Sequence, residues 1–267
     1  MFQHAVVTGA ASGLGRALCL ELAQRGAAVV VSDVNAEGAE ETAEEVRRRG
    51  ARAEVIDCDV ADEASVNALH EEAEGRIGPI DLLCNNAGVA VAGPFEELSL
   101  EDWKWIVDIN LWGVIYGCRA FLPGMRTRGH GYVLNVASAA GLLRSPNMAP
   151  YNVTKIGVVG LSETLHAEYA EYGVNVTALC PTFFQTAIMD SSRGVEMAES
   201  KMARSRMKRS KVQAPDVARI ALDDLVAGKV YSVPMTDGRV LWALKRAAPE
   251  HFYGLLNRAA KWATRFS

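Results

Sequence analysis

Residues 4–16 read His4-Ala-Val-Val-Thr8-Gly9-Ala10-Ala11-Ser12-Gly13-Leu14-Gly15-Arg16, and they constrain the architecture more than any other stretch. A short apolar strand is followed at once by three glycines and then by a helical pattern. Glycine tolerates positive φ and lets a ligand approach the backbone, while the first N–H groups of the next helix point at an anion. The stretch therefore predicts a pyrophosphate-binding turn. Its spacing departs from the general G-x-G-x-x-G fingerprint, so the turn needs support from its surroundings.

That support comes from the second apolar run, Ala28-Val-Val-Val-Ser32, which ends at Asp33. A carboxylate at the end of the second strand, roughly 20 residues past the turn, can accept hydrogen bonds from the ribose diol of adenosine. The two runs with the helix between them predict the first half of a dinucleotide-binding unit.

Strand-like and helical patterns alternate along the chain, which is typical of a parallel sheet covered by helices on both faces. Several of the runs are continuously apolar, as strands buried on both faces are. We therefore expect residues 1–267 to form a single α/β domain, a Rossmann-type doubly wound parallel sheet of about seven strands. The predicted strands are 5–8, 28–32, 53–56, 82–85, 132–136, 174–180 and 230–233.

Composition excludes several classes of function. The formal net charge of −4 and the pI of about 5.8 argue against a nucleic-acid-binding protein, which needs a basic face. The five cysteines are dispersed and lack a C-x-x-C pair, which favours buried thiols in a reducing compartment over disulfides or a metal site. The first strand begins near His4, and the sequence has no apolar run long enough to span a bilayer. We expect a cytoplasmic protein without a metal.

A second set of candidate residues lies in the middle of the chain. Tyr151 and Lys155 are spaced i, i+4 on a predicted helix, and Ser138 ends a strand-like run upstream of them. A cation near a phenol favours the phenolate, so Lys155 is expected to lower the pKa of Tyr151 until it can exchange a proton with an alcohol or ketone. Taken singly, Ser138 could instead cap a turn, and Asn110 could be a helix-interior amide bonded to backbone.

Together these motifs resemble those of the short-chain dehydrogenase/reductase family, from about residue 2 to residue 186. The family's T-G-x3-G-x-G turn is met by residues 8–15, and its N-N-A-G segment by residues 85–88. Its adenine-contacting Asp-Val pair is met by Asp59 and Val60. Its catalytic set is matched by Asn110, Ser138, Tyr151 and Lys155.

The resemblance implies an oxidoreductase, a short-chain alcohol dehydrogenase or ketoreductase that interconverts a secondary alcohol and its ketone by hydride transfer. Tyr151 would be the acid/base, Ser138 would bind the substrate oxygen, Lys155 would bind the nicotinamide ribose, and Asn110 would hold a water that relays the proton. The implied cofactor-binding residues are Gly9, Ser12, Gly13, Leu14, Gly15, Asp33, Val34, Asp59, Val60, Asn86, Ala87, Gly88, Tyr151, Lys155, Pro181, Phe184 and Thr186.

The cofactor is expected to be NAD. Asp33 would face a 2′-phosphate, and two like charges about 4 Å apart repel by about 1 kcal/mol even in bulk water. Val34 and Ser12 stand where NADP-using relatives often carry a basic residue. Arg16 is expected to serve the helix surface or the pyrophosphate.

The substrate is expected to be hydrophobic, because the candidate pocket residues are mostly apolar. The predicted substrate-binding residues are Ser138, Leu142, Met148, Tyr151, Phe183 and Met189, with Leu143 and Ile188 nearby. Residues 186–213, rich in basic residues and methionine, are predicted to form a substrate lid or, alternatively, an exposed excursion. The family's Pro-Gly after the sixth strand is Pro181-Thr182 here, which leaves the nicotinamide contact open.

The tail at about 234–267 is basic and aromatic, unlike the short glycine-rich ending of many relatives. Its apolar helical stripe would pack on the body or on a second subunit, or alternatively bind a membrane surface. The second alternative describes a membrane-associated dehydrogenase of a steroid- or retinoid-like alcohol. A non-catalytic NAD-sensing protein is a third class, although it would have no need of all four catalytic residue types.

The helices predicted around residues 103–118 and 151–172 carry apolar residues on more than one face, and the sheet covers only one face of each. A subunit interface would bury the rest. Relatives pair these two helices in a dimer, often within a tetramer. Because the tail departs from the family pattern, we expect a homodimer, with a homotetramer as the alternative.

Overall fold

The computed structural model describes residues 2–185, 188, 192–195 and 210–255. Seven strands form one parallel sheet in the order β3-β2-β1-β4-β6-β7-β9, and β5 and β8 form a separate parallel pair. The strands are β1 (His4–Thr8), β2 (Ala28–Asp33), β3 (Ala53–Asp57), β4 (Leu82–Asn85), β5 (Val91–Ala92), β6 (Gly131–Val136), β7 (Val174–Leu179), β8 (Arg193–Gly194) and β9 (Tyr231–Ser232).

Helices cover both faces of this sheet. They are α1 (Gly13–Gln24), α2 (Ala36–Arg48), α3 (Glu63–Ile77), α4 (Leu100–Val107), α5 (Gly113–Arg128), α6 (Ala139–Leu143), α7 (Ala149–Tyr169), α8 (Ala214–Val226) and α9 (Thr236–Ala247). A π-helical turn, Asp108–Trp112, joins α4 to α5. The core lies in two layers, one between the sheet and α1, α2 and α8, the other between the sheet and α3, α5 and α7.

Strand β2 illustrates why its apolar residues are continuous. Val29 and Val31 pack in the first core layer and Val30 packs in the second, because successive side chains of a strand point to opposite faces. All three are fully buried. A strand buried on both faces is expected to be continuously apolar, and β2 is so up to Val31; the buried Ser32 and then Asp33 end the strand.

The predicted doubly wound parallel sheet is confirmed, and the ends of its strands differ from the prediction by at most one residue. One difference matters for the site. β6 ends at Val136, so Ser138 follows the strand and caps α6. The five cysteines all lie within the described residues and are buried free thiols, as expected.

The C-terminal part divides between buried and exposed side chains. Phe252 is buried, whereas Val240, Leu241 and Leu244 on α9 and Leu255 beyond it are exposed. The rest of the predicted apolar stripe, residues 256–267, lies outside the described residues, as do most of the predicted lid residues. Among the helices of the described residues, none combines the length and the apolar character needed to cross a bilayer.

Candidate active site

The candidate residues collect at the carboxyl ends of β1, β4, β6 and β7. The chain runs from β1 outward to β2 and β3, then returns to the other side of β1 to form β4. At such a switch point the loops on either side diverge and leave a crevice, which is where ligands bind in open α/β sheets.

The glycine turn is shaped by close contact with the loop after β4. Gly9 and Gly13 have positive φ, 64° and 54°. A Cβ on Gly9 would lie 2.6 Å from Ala87 Cα, and one on Gly15 would lie 2.1 Å from Gly9 O. Side chains at these two positions would clash with backbone atoms. The glycines therefore let the start of α1 pack closely against the end of β1 and the loop after β4. The turn therefore fits a dinucleotide pyrophosphate at the amino end of α1, where Ser12 is the capping residue.

Two polar side chains hold this turn to β4. Asn86 Nδ2 donates to Thr8 O at 2.8 Å and to Gly9 O at 2.9 Å. Thr8 Oγ1 accepts from Asn86 N and Ala87 N, each at 3.1 Å. The predicted cofactor residues Gly9, Asn86 and Ala87 thus lie together. Thr8 was not among the predicted site residues, although its position at the end of β1 was a signal for it.

Asp33 lies at the end of β2 beside the glycine turn. Its carboxylate accepts from Ala11 N and from Asn35 N, each at 2.9 Å, so it also fixes the turn. Val34 next to it is 67% exposed. Arg16 Nη2 donates to Ala11 O at 2.7 Å and pairs with Glu41 at 2.9 Å, so it serves the surface between α1 and α2.

The predicted adenine contacts lie on the loop after β3. The Asp59 carboxylate accepts from Ala61 N at 2.9 Å, which folds this loop back on itself. Val60 is buried against α5, where a Cβ on Gly113 would lie 3.0 Å from Val60 Cβ.

Ser138, Tyr151 and Lys155 converge near the end of β6. Ser138 Oγ accepts from Ala140 N at 3.1 Å, and its hydroxyl acts on the phenol of Tyr151 to lower the pKa of that group. Lys155 Nζ donates to Val136 O at 2.8 Å and lies 5.7 Å from the centroid of the Tyr151 ring. The capping role of Ser138 and its place beside Tyr151 are therefore compatible.

Burial dominates the electrostatics of this pair. It raises the pKa of Tyr151, and the hydrogen bond with Ser138 opposes that rise. It also lowers the pKa of Lys155 to about 8. The prediction that Lys155 lowers the pKa of Tyr151 is wrong for this structure, because desolvation penalises the charged forms of both groups.

Asn110 lies in the π-helical turn and is fully buried. Its Oδ1 accepts from Val89 N at 2.8 Å and its Nδ2 donates to Val89 O at 2.9 Å, so the amide clamps the loop after β4 and not its own helix. Single π turns in α-helices often occur at functional sites. A Cβ on Gly88 would lie 3.2 Å from Asn110 Oδ1 and 3.5 Å from Lys155 Nζ, so a glycine there lets the three elements meet.

Thr154 connects Asn110 to Tyr151 and was not predicted. Its Oγ1 donates to Tyr151 O at 3.0 Å and accepts from Asn110 Nδ2 at 3.4 Å. In the sequence it reads as an ordinary helical residue, because its partner is 44 residues away.

Tyr151 belongs to a small apolar cluster that is separate from the two core layers. Met148, a predicted substrate residue, belongs to it, and so does Ile188. The apolar residues around 103–118 were expected at a subunit interface, so the other members of this cluster were not predicted as substrate residues. They are Val89, Ala90, Val91, Leu98, Trp103, Trp105, Ile106 and Ala140.

Other predicted residues lie elsewhere. Leu142 and Phe184 pack in the two core layers and are each 6% exposed, whereas Phe183 is 39% exposed. Pro181 is buried, and its carbonyl accepts from Ala139 N at 2.9 Å, which ties the loop after β7 to α6. Ligand contacts by these four residues stay predictions. Thr186 and Met189 lie outside the described residues.

The lowered pKa of Lys155 predicts a pH-dependent stability. The folded protein binds this proton more weakly than the unfolded chain, so the ammonium costs stability below about pH 8, and the cost disappears as pH rises towards 10.5. Lys155→Met should raise the free energy of unfolding by up to about 3 kcal/mol at about pH 7, less the lost hydrogen bond to Val136. Near pH 10 the gain should be much smaller.

Guanidinium unfolding at both pH values, with exposed Lys104→Met as the control, measures this difference. A Lys155→Met gain that stays the same at the two pH values would show that the lysine is not titrating in this range.

A parallel sheet with a glycine turn at its switch point, and a serine, tyrosine and lysine beside it, defines a dinucleotide-dependent oxidoreductase. The model of the short chain dehydrogenase family matches residues 3–196. The chain therefore belongs to the short-chain dehydrogenase/reductase family.

Similar proteins come from several bacteria. Cyclohexanol dehydrogenase of Acinetobacter sp. (strain SE19) is 34% identical over 236 residues, which are 86% of this chain and 92% of that protein. D-threitol dehydrogenase of Mycolicibacterium smegmatis is 41% identical over 184 residues, 69% of this chain and 71% of that protein. A short-chain dehydrogenase/reductase from Burkholderia phymatum, solved in complex with NAD, superposes with a TM-score of 0.85 at 32% identity and covers 93% of this chain and 94% of its own.

Proposed function

We propose that this oxidoreductase uses NAD(H) to interconvert a hydrophobic cyclic secondary alcohol and its ketone. The observation that carries the proposal is the apolar cluster around Tyr151, which leaves the hydroxyl of Ser138 as the polar partner beside the phenol. Such a surface favours a hydrocarbon ring over a polyol. The cyclohexanol dehydrogenase among the relatives supports this choice. The D-threitol dehydrogenase among them represents the alternative, a polyol substrate.

NAD, when bound, would supply the hydride acceptor. The glycine turn and the amino end of α1 would hold its pyrophosphate, and Asp33 would accept hydrogen bonds from the adenosine ribose. Gly9 and Gly15 let the backbone of the turn pack tightly at the amino end of α1, and Val34 next to Asp33 is exposed, so this arrangement fits such a group.

The chain's own residues would move one proton. Tyr151 Oη would take it from the substrate hydroxyl, and Ser138 Oγ would hydrogen-bond the same oxygen and orient it. Lys155 Nζ, which donates to Val136 O and lies 5.7 Å from the centroid of the Tyr151 ring, would bind the nicotinamide ribose. The side-chain amide of Asn110 makes two hydrogen bonds to the main chain of Val89. A relay water at Asn110 would therefore be held by the main chain of Asn110.

The proposal is tested by a panel of cyclohexanol, a linear secondary alcohol and D-threitol, followed by NADH absorbance. We expect the highest kcat/KM for the ring alcohol, because its apolar surface is buried against the cluster around Tyr151. Preference for threitol would overturn the substrate class. NAD binding without turnover of any alcohol would favour a non-catalytic, NAD-sensing protein.

We also propose a homodimer formed through α4, α5 and α7. Trp112 is 44% exposed and stacks on Tyr116 at 5.6 Å, and Val153 on α7 is 48% exposed. Val158, an apolar residue of the predicted helix at 151–172, is fully buried in the core and is not available to the interface. The exposed aromatic pair supports association, since Trp and Tyr are enriched in interface cores.

Light scattering at micromolar concentration should give the mass of a dimer, and Trp112→Glu should give a monomer because it buries an unpaired charge. Val226→Glu, on the exposed surface of α8, is the control. A mass four times that of the chain would support the tetramer instead, and an unchanged mass for Trp112→Glu would place the interface elsewhere.

A further inference from the structure

Helix α9 contacts the two loops that flank the candidate catalytic residues. One is the loop after β7, residues 180–185, and the other is the segment after Ser138, residues 139–148. Both contacts are made by polar side chains of α9, one near each of its ends.

The first contact explains the threonine where the family usually has glycine. Thr182 Oγ1 donates to Asp237 Oδ1 at 3.1 Å, at the first turn of α9. A Cβ on Gly238 would lie 2.7 Å from Thr182 Cγ2. Glycine within a helix costs about 1 kcal/mol relative to alanine, and here it leaves room for the threonine methyl. Thr182 has a side chain where the family usually has glycine, and Gly238 lacks the side chain that would clash with it.

The second contact lies near the other end of α9. Lys245 is 8% exposed, and its Nζ donates to Leu142 O at the end of α6, across 103 residues of sequence. The last carbonyls of a helix lack partners within the helix, and a cation is favourable there. Desolvation lowers the pKa of Lys245, nearby Arg144 also lowers it, and a hydrogen bond with Tyr253 raises it.

The segment that Lys245 contacts has an unfavourable backbone. Arg144 and Asn147 are the only non-glycine residues of the described chain with positive φ, 61° and 59°. Such residues cost of order 1 kcal/mol or more each and persist where the surroundings fix them. Met148, which packs in the cluster with Tyr151, comes directly after this segment.

We propose that α9 is a positioning element of the active site, with Lys245 holding the substrate side at residues 139–148 and the Thr182–Asp237 pair holding the nicotinamide side. The inference rests on the proposed function, since that function makes these loops the walls of the site. Lys245 acts through Leu142 and the strained segment and does not itself touch the reacting atoms.

Lys245→Met keeps the aliphatic stem and removes the donor, and Arg246→Met changes the adjacent exposed basic residue as the matched control. We expect about a 10-fold higher KM for the alcohol in Lys245→Met, a smaller fall in kcat and unchanged NAD affinity. Lys245→Arg, which keeps a donor, should recover part of the loss. Thr182→Val keeps the methyl that meets Gly238 and removes the hydroxyl, so it should instead weaken NAD binding.

Hydrogen exchange separates failure of this proposal from failure of the proposed function, because it needs no turnover. In Lys245→Met the amides of residues 139–148 should exchange faster, and in Arg246→Met they should not change. Unchanged exchange and an unchanged alcohol KM in Lys245→Met would overturn the proposal. An alcohol KM that rises equally in both variants would also overturn it, since that result indicates a general effect of charge on α9.

Discussion

Tyr151→Phe should lower kcat for alcohol oxidation by at least about 100-fold while NAD still binds. The substitution removes the phenolic hydroxyl that would exchange a proton with the substrate and keeps the ring that packs with Val91 and Ile106. Because burial raises the pKa of Tyr151, the phenolate is scarce at neutral pH, and wild-type kcat/KM for oxidation should rise as pH increases. Steady-state kinetics with NADH absorbance, and NAD titration followed by protein fluorescence, measure both quantities.

Tyr132→Phe is the matched control, since this tyrosine lies on β6 with its ring edge-on to Phe2 at 4.9 Å, outside the site. It should leave kcat unchanged. Turnover retained in Tyr151→Phe would identify another group as the acid/base, and loss of NAD affinity would mean that the phenol shapes the cofactor site.

Wild-type protein should have at least about a 10-fold higher kcat/KM with NAD than with NADP, because Asp33 would face the 2′-phosphate. Asp33→Asn is the sharper substitution. It removes the charge and leaves an oxygen that can accept from Ala11 N or Asn35 N, whereas Asp33→Ala would also loosen the glycine turn. In Asp33→Asn the kcat/KM with NAD and the kcat/KM with NADP should come within a few-fold of each other, mainly because the kcat/KM with NADP increases.

Glu37→Gln, an exposed acidic residue in the first turn of α2, controls for the general effect of charge near the turn. This substitution should leave the ratio of kcat/KM with NAD to kcat/KM with NADP nearly unchanged. A wild-type preference for NADP would refute the assignment of Asp33. If Glu37→Gln changed the cofactor preference as much as Asp33→Asn does, the preference would come from the general negative charge near the turn and not from Asp33.

The sequence was sufficient for features that depend on neighbours along the chain. The apolar run of β2 and its end at Asp33, the turn at Gly9, and the i, i+4 spacing of Tyr151 and Lys155 each follow from local geometry. The sheet was predictable because strand and helix patterns alternate.

What the sequence could not supply depends on distant contacts. The pKa directions of Tyr151 and Lys155 follow from how deeply the fold buries them. The clamp between Asn110 and Val89 follows from a π turn that no local pattern indicated. Leu142 was predicted as a pocket residue because it is apolar; its side chain packs in the core, and its carbonyl accepts from Lys245 of α9, a contact that no local pattern indicates.

The contact between Lys245 and Leu142 also has a consequence for biosynthesis. At roughly 5–20 residues per second, a ribosome makes Lys245 about 5 to 20 seconds after Leu142. Residues 139–148 must wait that long for the helix that contacts them, and Thr182 in the loop after β7 must wait about 3 to 11 seconds for Asp237, while β1 to β4 already have their partners. Nascent chains that have paired most of the sheet would therefore still lack an ordered catalytic crevice, and competence would arrive last, with α9.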